Sequence, residues 1–155
     1  MKYLSYSLIV PFILTLAGCE EFCEESNRTA MVAGFYTLGA HSPVTRNNVS
    51  VRGMDNDSAL YAKASLSVAL CPLNPGADVT VYIFTEDAGA DTVTIEYTRH
   101  TGFISSECGC INLADITGVR YTTNIIREIA VVHPGVGKVS YRNNVVNAEN
   151  IRIYY

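Results

Sequence analysis

Apolar and polar residues alternate with a period of two along most of this chain, beginning at Ala30. Successive side chains of an extended strand point to opposite faces, so this alternation predicts half-solvated β-strands and not helices. Residues 31–37, 49–54 and 66–70 read as strands, with Leu60-Tyr61 as a short one. Asp55-Asn56-Asp57-Ser58 is turn chemistry, with side chains that bond their own backbone. The clearest hairpin runs out over 78–85 and returns over 91–100, across a turn at 86–90. On the return, Val93, Ile95 and Tyr97 share one face, and Thr92, Thr94, Glu96 and Thr98 share the other. Val79, Val81 and Ile83 are expected to meet the first set across one core. The acids of this hairpin, Asp78, Glu86, Asp87 and Asp91, read as exposed turn acids.

Residues 101–116 are irregular, and a short helical turn fits 112–116. A strand follows at 118–124. Residues 125–132 continue it or form the next one, and Pro134-Gly135 ends that run. Residues 136–148 form a polar, Asn-rich loop or hairpin. Ile151-Arg152-Ile153-Tyr154 is a last alternating strand, which leaves the end of the chain inside a sheet. About eight short strands with Gly, Pro and Asn punctuation predict an all-β fold. The expected form is an antiparallel β-sandwich, Ig-like or transthyretin-like, with a small closed β-barrel as the alternative.

The first residues follow another pattern. Lys2 precedes an apolar run from Leu8 to Leu16, which ends in Leu16-Ala17-Gly18-Cys19. The run falls short of the roughly 20 residues that span a bilayer. Its basic start and small-residue end fit a processed export signal. The last four residues resemble the lipobox of bacterial lipoproteins. That likeness implies removal of residues 1–18 and acylation of Cys19, so that membrane lipid becomes a bound partner. Acyl chains contribute about 0.8 kcal/mol per buried CH₂, enough to hold a doubly or triply acylated protein on a membrane. Glu20-Glu21-Phe22-Cys23-Glu24-Glu25 then places four acids within six residues, a hydrated tether over 19–29. It also resembles the acidic tag that sends Bacteroidota lipoproteins to the outer face of the outer membrane. The expected organisation is a signal peptide at 1–18, a lipidated acidic tether at 19–29 and one β-sandwich domain at 30–155. The expected location is the cell envelope, at the outer membrane, with the cell surface as the destination such a tag implies.

Cutting after Gly18 leaves 137 of 155 residues (155 − 18), one domain of ordinary size. Loss of Lys2 leaves 10 basic residues against 15 acids, a net charge of −5 with His neutral. No basic block is present, so nucleic-acid binding has no electrostatic footprint. Of five cysteines, Cys19 goes to lipid, leaving Cys23, Cys71, Cys108 and Cys110. An even number in an exported chain points to two disulfides. A Cys108–Cys110 ring would be small and strained. Two pairings remain: Cys23–Cys108 with Cys71–Cys110, or Cys23–Cys110 with Cys71–Cys108.

Little in the sequence selects chemistry. Cys108-Gly109-Cys110 could form a reducible disulfide suited to thiol exchange, but no βαβ pattern surrounds it. His41, His100 and His133 do not fall two to a turn or strand face, so no metal is expected. Asp55-Asn56-Asp57-Ser58 has Ala59 where a calcium loop would need another oxygen. Gly-x-Ser-x-Gly is absent. The expectation is a non-catalytic protein without cofactors. Asp57-Ser58-Ala59 and Asp91-Thr92-Val93 resemble the O-glycosylation acceptor of exported Bacteroidota proteins. Ser58, in a loop, is the better candidate, because Thr92 begins a strand.

Several segments together carry a wider resemblance. These are Phe35-Tyr36, the return from Asp91-Thr92 to His100-Thr101, and Phe103-Ile104-Ser105 with Glu107-Cys108-Gly109. To them are added Ile116-Thr117-Gly118-Val119-Arg120 with Thr123-Asn124, residues 129–134, and Glu149-Asn150-Ile151-Arg152-Ile153-Tyr154. The whole is similar to an uncharacterised family of small Bacteroidota lipoproteins, a domain of unknown function. The resemblance implies export, lipidation and two cysteines matching Cys23 and Cys108. Cys71 and Cys110 are additions to that pattern, which favours Cys23–Cys108 with Cys71–Cys110. No activity carries over. The resulting expectation is a lipid-anchored binding or assembly module of the envelope, its ligand an unspecified envelope protein or glycan. A periplasm-facing structural lipoprotein and a thiol-disulfide redox protein are the alternatives.

Overall fold

Ten strands and no helix make up the described residues, 29–105, 109–137 and 149–155, of the computed structural model. In chain order they are β1 (Ala30–Tyr36), β2 (Arg46–Gly53), β3 (Ala59–Leu66), β4 (Val68–Pro72), β5 (Val79–Glu86), β6 (Gly89–Ser105), β7 (Gly109–Tyr121), β8 (Glu128–Val131), β9 (Gly135–Val136) and β10 (Ile151–Tyr154). They form a four-stranded sheet, β4-β1-β10-β8, and a six-stranded sheet, β3-β2-β5-β6-β7-β9. The two do not close on each other, so the architecture is the expected sandwich and not a barrel. The strand count is higher than the sequence pattern gave, and the segment that fitted a helical turn, 112–116, lies within β7.

The arrangement is not wholly antiparallel. β1 and β10 pair in parallel, Ala33 opposite Ile151 through Tyr36 opposite Tyr154. A parallel pair needs a long crossover. The rest of the domain supplies it, because β1 and β10 stand at its two ends. β10 therefore lies between β1 and β8, and the chain does end inside a sheet. β1, Ala-Met-Val-Ala-Gly-Phe-Tyr, is buried along its full length, as a near-continuous apolar run requires.

Met31, Ala33 and Phe35 of β1, Ile151 and Ile153 of β10, Val49 and Val51 of β2, and Val93, Ile95 and Tyr97 of β6 meet in one core. The phase expected for β6 holds. That expected for β5 does not: Tyr82 and Phe84 enter the core, whereas Val79 is exposed and Val81 and Ile83 are half-buried. Tyr82 is paired with Val93 and Thr80 with Ile95, which puts the even-numbered residues of β5 on the inner face. Both faces of this strand are apolar, and the aromatic face buries more surface.

β3 is an edge strand, and its pairing with β2 is broken at three places. Asn48 and Lys63 have left-handed backbone conformations there (φ 57° and 48°), and the Lys63 N–H donates to Ser50 Oγ at 3.0 Å. Such bulges interrupt the flat ladder that would otherwise recruit a further strand.

Candidate functional site

β1, β5 and β7 all run away from one end of the sandwich, the end at which Thr29 meets Asn112. The 54–58 turn and the 73–78 connection lie at this end. So does a long hairpin: β6 and β7 stay paired from Tyr97–Ile116 down to Ser105–Gly109. β5 flanks β6 only as far as Glu96, and β9 flanks β7 only as far as Ala114. Beyond those points the two strands form a ribbon that projects past the sheet. Arg99 fastens its base, donating from Nε to Asp78 Oδ1 at 2.7 Å and from a guanidinium NH₂ group to the Pro75 carbonyl at 2.6 Å.

Two clefts flank the 73–78 connection. One, about 50 Å³, lies between Thr29, Leu73, Tyr97 and Asn112. Two hydrogen bonds join its lining residues: Thr29 Oγ1 donates to the Asn112 carbonyl, and Tyr97 Oη donates to the Asn74 carbonyl at 2.8 Å. The other is an open groove of about 420 Å³ between the 54–58 turn and the start of β5. Met54, Leu60 and Val79 line it and are 45%, 41% and 41% exposed, among the largest apolar side chains left in solvent. Asp55, Asn56, Asn74 and Thr80 supply its polar rim. The groove offers apolar contact with hydrogen-bonding side chains around it, which suits binding.

Ser58 stands beside this groove, exposed in the turn the sequence foretold, with its N–H donating to Asn56 Oδ1 at 2.9 Å. Cys71 lies on β4 in the core, where burial pushes its thiol up to about 12. Cys110 is exposed on the ribbon. The two are not bonded, so the Cys71–Cys110 bridge favoured by the resemblance is not formed here. The reason is spatial: Cys71 is level with Met31, whereas Cys110 lies two residues below Asn112, the partner of Thr29. At ~3.3 Å per residue that is roughly 13 Å along the strands, beyond the ~7 Å Cα limit of a disulfide. Cys19, Cys23 and Cys108 lie outside the described residues. The histidines are dispersed: His41 packs on the Tyr154 ring, His100 faces Asp115 at 3.5 Å, and His133 is exposed.

The opposite end and the outer face hold features the sequence reading missed. Asp91 is 1% exposed, not a turn acid. Its Oδ1 accepts from Thr122 Oγ1 at 2.5 Å and the Asn124 N–H at 2.8 Å. Its Oδ2 accepts from the Ile125 and Ile126 N–H groups, each at 2.7 Å. Burial opposes its charge, but these bonds prevail and hold the carboxyl below its usual range. The signal was present: Asp91 has the parity of Val93, Ile95 and Tyr97 on β6. Glu86, also expected to be exposed, has a side chain only 6% exposed and pairs with Arg46, whose guanidinium stacks over Tyr155. On the four-stranded sheet, Glu149 accepts from Tyr36 Oη at 2.9 and 2.8 Å and from Arg152 Nε at 3.0 Å, directly over Gly34. Asn150 is buried. It accepts from the Val32 N–H at 2.9 Å and donates to the carbonyls of His133 and Gly135 at 3.0 and 2.8 Å, tying β1 to the segment before β9.

No curated protein and no solved structure gives a significant match to this chain. A family profile, described as a family of unknown function (DUF6452), matches residues 48–155. That span runs from within β2 to the end of the chain and holds both the groove and the ribbon. The chain is a member of the DUF6452 family of unknown function.

Proposed function

We propose that this protein is a lipid-anchored lipoprotein of the cell envelope, held at the outer membrane through acylated Cys19, and that it serves as a non-catalytic binding or assembly module. The observation that carries the reading is Leu16-Ala17-Gly18-Cys19 at the end of a short apolar run that follows Lys2. The intervening acids suit a hydrated tether and the outward tag of Bacteroidota lipoproteins. The groove beside Met54, Leu60 and Val79 supports a binding role, and Ser58, exposed in the 54–58 turn, is the proposed O-glycosylation site. The deep burial of Cys71 and its separation from Cys110 give no support to a redox role for those two thiols.

Protease digestion of intact cells tests the placement. Loss of the folded domain, with a periplasmic control untouched, is the expected result and makes glycans and surface proteins the ligands to screen. Protection until the outer membrane is broken would favour the periplasm-facing structural role.

A further inference from the structure

The six-stranded sheet leaves one strand position open beside β5. Backbone groups along a strand point alternately to its two sides. The Asp78 carbonyl accepts from the Tyr97 N–H at 2.9 Å, toward β6, and the Val81 carbonyl accepts from the Met54 N–H at 2.9 Å, toward β2. Val79 has the parity of Val81, so its N–H and carbonyl also point away from β6. β2 does not reach them. Its last registered pair with β5 is Gly53 with Tyr82. After Met54 the chain turns back, and the Asn56 N–H donates to the Gly53 carbonyl at 3.3 Å. Among the described residues, no strand or turn group pairs with the N–H or carbonyl of Val79. The space on that side of β5 is the open groove of about 420 Å³.

Neighbouring edges are blunted. On β4 the Leu70 N–H, which points away from β1, donates to Tyr61 Oη at 3.0 Å. On β3 the bulges interrupt the ladder. The edge at Val79 has no such cover, and the groove around it sets what fits there. Met54, Leu60 and Val79 offer apolar contact to one side chain. Asp55 lines the groove and Asp57 follows it in the same turn. Both are exposed, and neither pairs with a cation among the described residues. The turn therefore favours positive charge in whatever lies beside it.

We infer that the groove binds a short extended peptide of a partner protein, which adds as a strand beside Val79 and carries an apolar residue flanked by basic ones. In antiparallel register the residue opposite Val79 exchanges two backbone hydrogen bonds with it, one in each direction. The side chain of that residue packs among Met54, Leu60 and Val79, and a neighbouring lysine or arginine reaches Asp55. The inference deepens the binding role proposed above and does not depend on the lipid anchor.

The test is an NMR titration of the isotope-labelled full chain. The probe is a short end-capped peptide with a central valine between two lysines and threonines outside them. The expected result is a saturable downfield shift of the Val79 amide, with the other changes confined to Met54, Leu60 and their neighbours in the groove. N-methylation of the central valine removes the donor to the Val79 carbonyl and should weaken binding about tenfold. Asp55→Asn, or glutamates in place of the lysines, should weaken it by about twofold to fivefold. Equal binding of the N-methylated peptide, or an unmoved Val79 amide at millimolar peptide, overturns the inference. A Val79 shift that follows protein concentration without peptide assigns the edge to a second copy and overturns it too. If envelope oligosaccharides move the Met54 and Leu60 signals and the peptide does not, the inference fails and the binding role stands. If neither perturbs the groove, both fall.

Discussion

Replacing Asp91 by Asn should be among the most damaging single-atom changes in this domain. The carboxylate accepts four hydrogen bonds, two on each oxygen, and thereby fixes the 122–126 segment against β6. An amide keeps one oxygen and turns an NH₂ group toward two donors that cannot accept. If the oxygen stays with Thr122 and Asn124, the buried N–H groups of Ile125 and Ile126 lose their acceptor. Bonds to a charged group contribute ~1.5–3 kcal/mol each, and a buried donor left bare costs ~1–3 kcal/mol. Local relaxation returns part of this, so a loss of about 3–5 kcal/mol is expected against a total of ~5–15 kcal/mol. Urea unfolding of wild type and variant reads the difference directly, as a lower midpoint at unchanged slope. The pH dependence gives an independent check. The folded-state pKa of Asp91 lies below its unfolded value. Its contribution is therefore complete above the unfolded pKa of about 3.9 and is lost as the pH falls through the folded one. Wild type should lose this increment below about pH 4, and the variant should lack that part of the acid slope. A variant within ~0.5 kcal/mol of wild type, with the same acid slope, would refute the role assigned to Asp91.

Three further changes test the packing. In Gly34→Ala the new methyl would lie 2.7 Å from Glu149 Cδ and 3.0 Å from Tyr36 Cε2, so a loss of ~1–3 kcal/mol is expected. Thermal melts should show much of it recovered when Glu149→Ala is added. Asn150→Ala removes three hydrogen bonds of a buried side chain, and urea titration should report a loss of about 2–4 kcal/mol. Arg46→Met leaves Glu86 nearly buried without its cation. Because Arg46 is itself 33% exposed the expected loss is held to about 1–3 kcal/mol, and in a double-mutant cycle Glu86→Gln should reduce it.

The strands were legible wherever one face is polar. β6 is the clear case: Val93, Ile95 and Tyr97 alternate with Thr92, Thr94 and Glu96, and the structure buries the first set. β5 was ambiguous because Val79, Val81 and Ile83 compete with Tyr82 and Phe84, and alternation alone cannot rank two apolar faces. The parallel β1–β10 pair was not legible at all, since no local pattern encodes which distant strands meet. Asp91 was legible by parity but was overridden by its place beside a turn, where acids are usually solvated. Of the candidate site, Ser58 was readable from the turn chemistry of 55–58. The groove was not, because Met54, Leu60 and Val79 come together only when the turn folds beside β5. That Cys71 and Cys110 stand apart was not readable either, because it depends on the relative levels of β4 and β7 and so on the stacking of the two sheets.

The proposed anchoring stands or falls on one cysteine. Cells producing the full chain should be fed an alkyne-bearing fatty acid, and the purified protein coupled to a fluorescent azide and digested. The account predicts that the label appears on the peptide beginning at Cys19, that residues 1–18 are absent, and that Cys19→Ala abolishes both. An unlabelled chain retaining residues 1–18, or label persisting in Cys19→Ala, would contradict the account.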